Sequence, residues 1–126
     1  MAGIARMDTV AIDCPDPEAL ARFYAAVLGW EIVQADEDGG WVTISDGTAT
    51  PLSFQRAEGH RPPDWPSPER SQQFHLDFQV DDIDKAEAEV LALGAVKHEH
   101  QPVGPYDGFR VYLDPAGHPF CLCFGG

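Results

Sequence analysis

The groups in this chain best able to do chemistry are its five histidines, its three cysteines and a large excess of carboxylates. The most pointed arrangement is His75-Leu76-Asp77. Two residues apart on an extended chain, imidazole and carboxylate share a face, and imidazole titrates near neutrality, so the pair suits acid–base work. A histidine simply held by a hydrogen bond is the competing reading. Cys121 and Cys123 likewise point one way from a strand. Small buried thiols are the plain account of these two and of Cys14, since the count is odd and no Cys-x-x-Cys or zinc-knuckle spacing occurs. His98 and His100 flank Glu99 on one strand face, which reads as a metal pair or as a solvated edge. His118, in a turn beside Pro119, suits a structural hydrogen bond better than proton transfer. His60 precedes a proline-rich stretch with the character of a lid, and Trp65 within it either closes over a site or staples modules together. No phosphate loop, nucleophile elbow or Ser-His-Asp arrangement can be assembled.

Composition narrows the partners. Lys and Arg number 8 against 21 Asp and Glu, a formal charge of −13. Phosphate backbones and anionic membranes are read by clustered positive charge, so neither nucleic acid nor a membrane is an expected partner. No apolar run approaches the roughly 20 residues of a membrane span. The start, Met-Ala-Gly-Ile-Ala-Arg-Met-Asp, is too short in apolar length for a signal peptide, so a cytoplasmic location is expected. With 126 residues, 44% hydrophobic and 23% charged, the chain suits one folded domain.

The elements that must position these groups occur twice. Thr9-Val-Ala-Ile-Asp13 leads through Asp16-Pro17 to a helical pattern ending at Leu28-Gly29. His75-Leu-Asp-Phe-Gln79 leads through Asp82-Ile83 to another ending at Leu93-Gly94, about 66 residues later. Asp16 and Asp82 suit N-caps, Pro17 the first helical position, and Gly29 and Gly94 left-handed stops. Leu20, Phe23, Tyr24, Val27 and Leu28 make one apolar stripe, and Ile83, Ala86, Val90 and Leu93 the other, with Glu87 and Glu89 turned to water. Strands are expected near 7–13, 30–35, 41–46, 51–56, 74–80, 95–100, 109–113 and 119–124. Asp46-Gly47 and Asp114-Pro-Ala-Gly117 mark turns between strands. Each half therefore reads βαβββ: module one at 7–57, a proline-rich linker at 58–73, and module two at 74–124.

Period-two alternation sorts the strand side chains. Val10, Ile12, Leu52, Phe54, Val42 and Ile44 take the helix-facing side in module one. Phe74, Leu76, Phe78, Val111, Leu113, Phe120, Leu122 and Phe124 do so in module two. The opposite set mixes Thr9, Trp41, Gln55, His75, Asp77, Arg110, Tyr112 and Cys121. A concave binding face explains the aromatics and thiols in that set better than a solvated one does.

These features resemble the vicinal oxygen chelate superfamily, which takes in glyoxalase I, bleomycin resistance proteins and extradiol dioxygenases. The likeness rests on the paired modules, Phe23-Tyr24 before Leu28-Gly29-Trp30, His75-Leu-Asp77 before Val80-Asp-Asp82, and Asp114-Pro-Ala-Gly-His118 before the last strand. Pro63-Asp-Trp-Pro66, Gln73-Phe-His-Leu-Asp77 and Gly117-His-Pro-Phe-Cys121 are similar to its glyoxalase-like actinobacterial subgroup. The resemblance implies an α+β fold spanning 1–126, its two modules pairing into a curved, mostly antiparallel cup with helices outside, and a homodimer. It also implies ligand positions on the first, fourth, fifth and eighth strands, held here by Thr9, Gln55, His75 and Cys121. His75 alone belongs to the usual His/Glu set, so a divalent metal is disfavoured, although a His75–Cys121 zinc site completed by Asp77 is conceivable.

The expectation is thus a metal-independent binding protein of the bleomycin resistance type. It would trap an aromatic or cationic small molecule in the inter-module cup, against Thr9, Trp41, Gln55, Trp65, Arg110, Tyr112 and Cys121. The acidic balance favours a cation by long-range attraction. The alternative is a lyase, isomerase or dioxygenase-type enzyme with His75 and Asp77 as acid and base, or with an atypical metal.

Overall fold

The computed structural model describes residues 3–125. The first helix, α1 (Pro17–Leu28), begins where Asp16 accepts the Ala19 N–H at 3.2 Å and ends at Gly29, whose φ of 70° closes it onto the Ala25 carbonyl. The second, α2 (Ile83–Ala92), opens with Asp82 accepting from the Lys85 N–H at 3.2 Å. Around these helices stand β1 (Val10–Cys14), β2 (Glu31–Ala35), β3 (Trp41–Ser45) and β4 (Leu52–Arg56), then β5 (Leu76–Gln79), β6 (Val96–Lys97), β7 (Phe109–Leu113) and β8 (Pro119–Cys123).

The repeat is real at the level of topology. One sheet runs β1-β4-β3-β2 and the other β5-β8-β7-β6. The first pair in each list is parallel and every other pair antiparallel. The chain divides into two compact units at His60/Arg61, so the proline-rich stretch from Arg61 onward belongs with the second. No helix among the described residues is long and apolar enough to cross a membrane.

In the first unit, Leu20, Phe23 and Tyr24 are buried with Val42, Ile44 and Phe54, and the Tyr24 and Phe54 rings stack 5.8 Å apart. Each such side chain contributes about 1.5–3 kcal/mol by leaving water. The second unit does this differently. On α2 only Ile83 and Val90 are buried, and Leu93, expected on the apolar stripe, is exposed. Charge fills the gap. Arg110 is 3% exposed and reaches α2, its Nη2 3.0 Å from Asp84 and its Nη1 3.2 Å from Glu87. The buried Tyr112 donates its hydroxyl to Glu87 at 2.8 Å and stacks on Phe120. Glu87 therefore faces the sheet rather than water. Carboxylates of Asp84 and Glu87 outweigh the burial that would discharge Arg110 and hold it firmly cationic.

β1 begins at Val10 rather than near residue 7, and two strands, β5 and β6, are much shorter than the sequence pattern predicts. β5 starts at Leu76 because Gln73 adopts a left-handed φ of 65° and the Phe74 N–H turns back to the Gln72 carbonyl, leaving Phe74 exposed. β6 stops at Lys97 because the Gln101 side chain replaces it. The Gln101 amide accepts from the Val111 N–H at 3.0 Å and donates to the Val111 carbonyl at 2.8 Å, satisfying the backbone that a longer strand would pair.

Candidate functional site

Register builds the candidate site in the second unit. Parallel pairing sets Asp77 beside Cys121, and the β7–β8 hairpin sets Val111 beside Cys121 and Phe109 beside Cys123. Paired residues point to one side of a sheet, so these five share a face. A cavity of about 300 Å³ opens there, with Trp65, Phe109 and Val111 among its walls and His75, Asp77 and both thiols in its lining. The left-handed turn at Gln73 delivers His75 to the edge of this face, where its Nε2 lies 3.0 Å from Asp77 Oδ1.

The thiols are not nucleophiles in waiting. Burial, and then the Asp77 carboxylate beside it, push the Cys121 thiol up to about 12, and the same two causes raise Cys123. Cys121 hydrogen-bonds to Asp77, which is the partner a thiolate would lack.

Arg110 and Tyr112, expected on the open face, lie on the helix side instead. Val111, expected in the core, takes their place in the cavity wall. Hydrophobicity sorting reversed this strand because a buried arginine with two carboxylate partners is as stable against the helix as an apolar residue would be. The hairpin itself held the missing signal. Counting outward from the Asp114–Gly117 turn pairs Tyr112 with Phe120 and Val111 with Cys121. That count also finds Phe109 and Cys123; Gln72 and Pro102, at the cavity rim, had no sequence signal.

Trp65 reaches the cavity on a braced segment. Its carbonyl accepts from His98 Nε2 at 3.0 Å, and its ring meets the rings of His98 and His100 edge-on at 5.2 and 5.1 Å. The His100 N–H donates to His98 Nδ1 at 2.9 Å, so this histidine pair holds the tryptophan segment. Nearby, Pro62 lies so close to Gly117 that a Cβ there would stand 2.5 Å from the proline Cβ. Gly117 belongs to a turn in which Asp114 Oδ1 accepts from the backbone N–H groups of Ala116 and His118.

The first unit carries the other expected residues. Trp41 Nε1 donates to Thr43 Oγ1 at 3.0 Å, Thr43 and Ser53 hydroxyls lie 2.8 Å apart, Ser53 and Thr9 2.7 Å, and Thr9 donates to the Pro51 carbonyl at 3.1 Å. The fixed ends give this chain one direction: each hydroxyl passes its proton toward Pro51. Gln55 is exposed beside Trp41 in the register.

Superfamily metal chemistry asks for imidazole and carboxylate donors at the four strand positions. Thr9 and Gln55 offer a neutral hydroxyl and a neutral amide in place of those donors, so neither brings the imidazole or the negative charge that the superfamily pattern asks for. In the second unit, however, His75, Asp77 and Cys121 bring three donor atoms within 4.8 Å of one another.

Comparison with known proteins agrees with this architecture. Residues 9–123 match the family described as a glyoxalase-like domain. A glyoxalase/bleomycin resistance protein/dioxygenase family enzyme from Burkholderia phytofirmans PsJN superposes with a TM-score of 0.70 at 20% identity, covering 95% of this chain and 98% of that one. A possible glyoxalase from Bacillus cereus gives 0.68 at 13% identity, with 94% and 97% covered. A glyoxalase/bleomycin resistance protein from Albidiferax ferrireducens T118 gives 0.64 at 19%, with 94% and 98% covered. A search of curated proteins finds no match. At these identities the structures speak to fold alone, while the family match covers nearly every element described above. The chain belongs to the glyoxalase-like domain family, within the vicinal oxygen chelate superfamily.

Proposed function

We propose that the chain captures a small aromatic molecule bearing a cationic group, in the cavity on the open face of the second unit. The observation that carries this reading is the make-up of the cavity. Trp65, Phe109 and Val111 offer flat and apolar surface, and Asp77 supplies an anionic group beside them. At about 300 Å³ the space sits at the lower end for ligand pockets, enough for one or two fused rings. A cation placed near Asp77 would gain both the carboxylate and the tryptophan face. The chain's charge of −13 adds long-range attraction for the same sign. This capture uses no metal.

The test is quenching of tryptophan fluorescence by a panel of aromatic amines, with neutral and anionic analogues of equal size. Saturable binding of the amines, lost in Trp65→Phe and weakened at least tenfold in Asp77→Asn, is expected. No saturable response, or equal response to the anions, would sink the proposal.

A second reading has a specific observation behind it. The 3.0 Å contact between His75 Nε2 and Asp77 Oδ1 orients the imidazole and leaves Nδ1 as a proton-transfer group. On this reading the protein is a lyase or isomerase acting on the captured molecule. Turnover of a bound ligand that disappears in a folded His75→Ala variant would establish it, and unchanged turnover in that variant would remove it.

A further inference from the structure

Asp77 keeps its charge in the cavity of the second unit but has spent much of its hydrogen-bonding capacity. The cavity lining holds no lysine or arginine, because Arg110 is turned to α2 and paired with Asp84 and Glu87. A carboxylate offers about four acceptor positions. His75 Nε2 donates to Asp77 Oδ1 from 3.0 Å, and the Cys121 thiol hydrogen-bonds to the same carboxylate. About half of those positions are therefore taken. Trp65, Phe109, Val111 and Pro102, which share the lining, bring no side-chain oxygen to replace them. The Trp65 ring is itself held in place by its edge-on contacts with His98 and His100.

These properties separate cations of equal charge. A primary ammonium carries three strongly hydrated N–H donors, and each needs an acceptor when it leaves water. Asp77 has about two positions to give. A quaternary ammonium carries no donor, and its methyl groups present the charge as an apolar surface that aromatic rings attract. We propose that the cationic group captured in this cavity is a quaternary ammonium, held by the Asp77 charge against Trp65 and Phe109, in preference to a primary amine. The inference rests on the capture reading and names the chemical kind of its ligand. His75 and Cys121 serve it as the hydrogen-bond partners of Asp77.

Calorimetric titration of the full chain at pH 7 with benzylamine, N,N-dimethylbenzylamine and benzyltrimethylammonium, all cationic at that pH, tests it. Affinity should rise along the series, by roughly tenfold or more from the primary amine to the quaternary ion. Asp77→Asn should weaken binding of the quaternary ion by roughly tenfold. Trp65→Leu and Phe109→Leu, each shown by circular dichroism to be folded, should narrow the ratio between the two ends of the series by about threefold or more. Benzylamine binding as tightly as benzyltrimethylammonium, or more tightly, would overturn the inference and leave capture of aromatic cations standing. A ratio unchanged in both folded aromatic variants, or quaternary binding unchanged in Asp77→Asn, would overturn it as well. If no member of the series binds, the capture reading itself fails and the inference falls with it.

Discussion

Replacing Glu87 by alanine should destabilise the protein far more than its place on a polar helix face would suggest. In the folded chain Glu87 accepts the Tyr112 hydroxyl at 2.8 Å and pairs with Arg110 and Lys97 at 3.2 Å each. Arg110 loses its Glu87 contact but keeps Asp84 and the Pro105 carbonyl, and this loss is the same whether residue 112 carries a hydroxyl or not. Lys97 is partly solvated, and its pair is worth little. Tyr112 decides the outcome. Its side chain is fully buried, and Arg110, which also hydrogen-bonds to it, is a donor and cannot take the hydroxyl proton. A buried hydroxyl left without an acceptor costs about 1–3 kcal/mol, so Glu87→Ala should cost about 2–3 kcal/mol with the weaker pairs included. Tyr112→Phe removes the orphaned group and should cost about 1 kcal/mol alone. In that background Glu87→Ala should cost roughly 1 kcal/mol, a coupling of about 1.5 kcal/mol. Urea unfolding of the four proteins, followed by near-ultraviolet circular dichroism, measures it. A coupling near zero, with intact slopes, would refute the role assigned to the buried hydroxyl. The pH dependence gives an independent check. Burial opposes ionisation of Glu87, but Tyr112, Lys97 and Arg110 outweigh it and hold the carboxyl below its ordinary value of 4.5. A folded value below the unfolded one contributes stability that is present above pH 4.5 and lost as pH falls through the lower folded value. The advantage of the wild type over Glu87→Gln should therefore shrink below that pH.

Other outcomes follow from single contacts. Gly117→Ala must adopt a φ of 89° and push against Pro62, which should lower stability by about 1–3 kcal/mol in thermal denaturation; a variant as stable as the parent would contradict the close approach. His98→Ala removes the donor to the Trp65 carbonyl, so tryptophan emission should shift to the red and aromatic amine binding should weaken, and an unshifted spectrum would count against the bracing role. Because burial and the Asp77 carboxylate raise its thiol, Cys121 should be alkylated by iodoacetamide at pH 8 more than about tenfold more slowly than an ordinary cysteine. Peptide mapping reads this, and rapid labelling of Cys121 would contradict it. Ser53→Ala breaks the hydroxyl chain between Thr43 and Thr9 and should cost about 1–2 kcal/mol in urea unfolding, a loss that an unaffected midpoint would rule out.

The helices were legible because their determinants are local. Asp16, Pro17 and Gly29 act on their own turns, and the stripe of Leu20, Phe23 and Tyr24 repeats at a period only a helix has. The duplicated order of elements was legible for the same reason, and with it the family. His75 and Asp77 could be placed together because two positions along a strand return to the same face.

What lies across strands was less so. Alternation orders the residues of one strand but says nothing of which face meets the helix, and β7 was assigned the wrong way round by hydrophobicity. Only packing decided that Arg110 and Tyr112 would meet Asp84 and Glu87 on α2, leaving Val111 to wall the cavity. The same holds for the end of β6, where a glutamine side chain replaces backbone, and for Trp65, held by histidines more than thirty positions away. The amino-acid sequence by itself determined the elements, their order and the residues available for chemistry, since these depend on neighbours in the chain. Which of those residues share a cavity was decided by tertiary structure, because burial of a charge and closure of a ladder depend on groups that only the fold brings near.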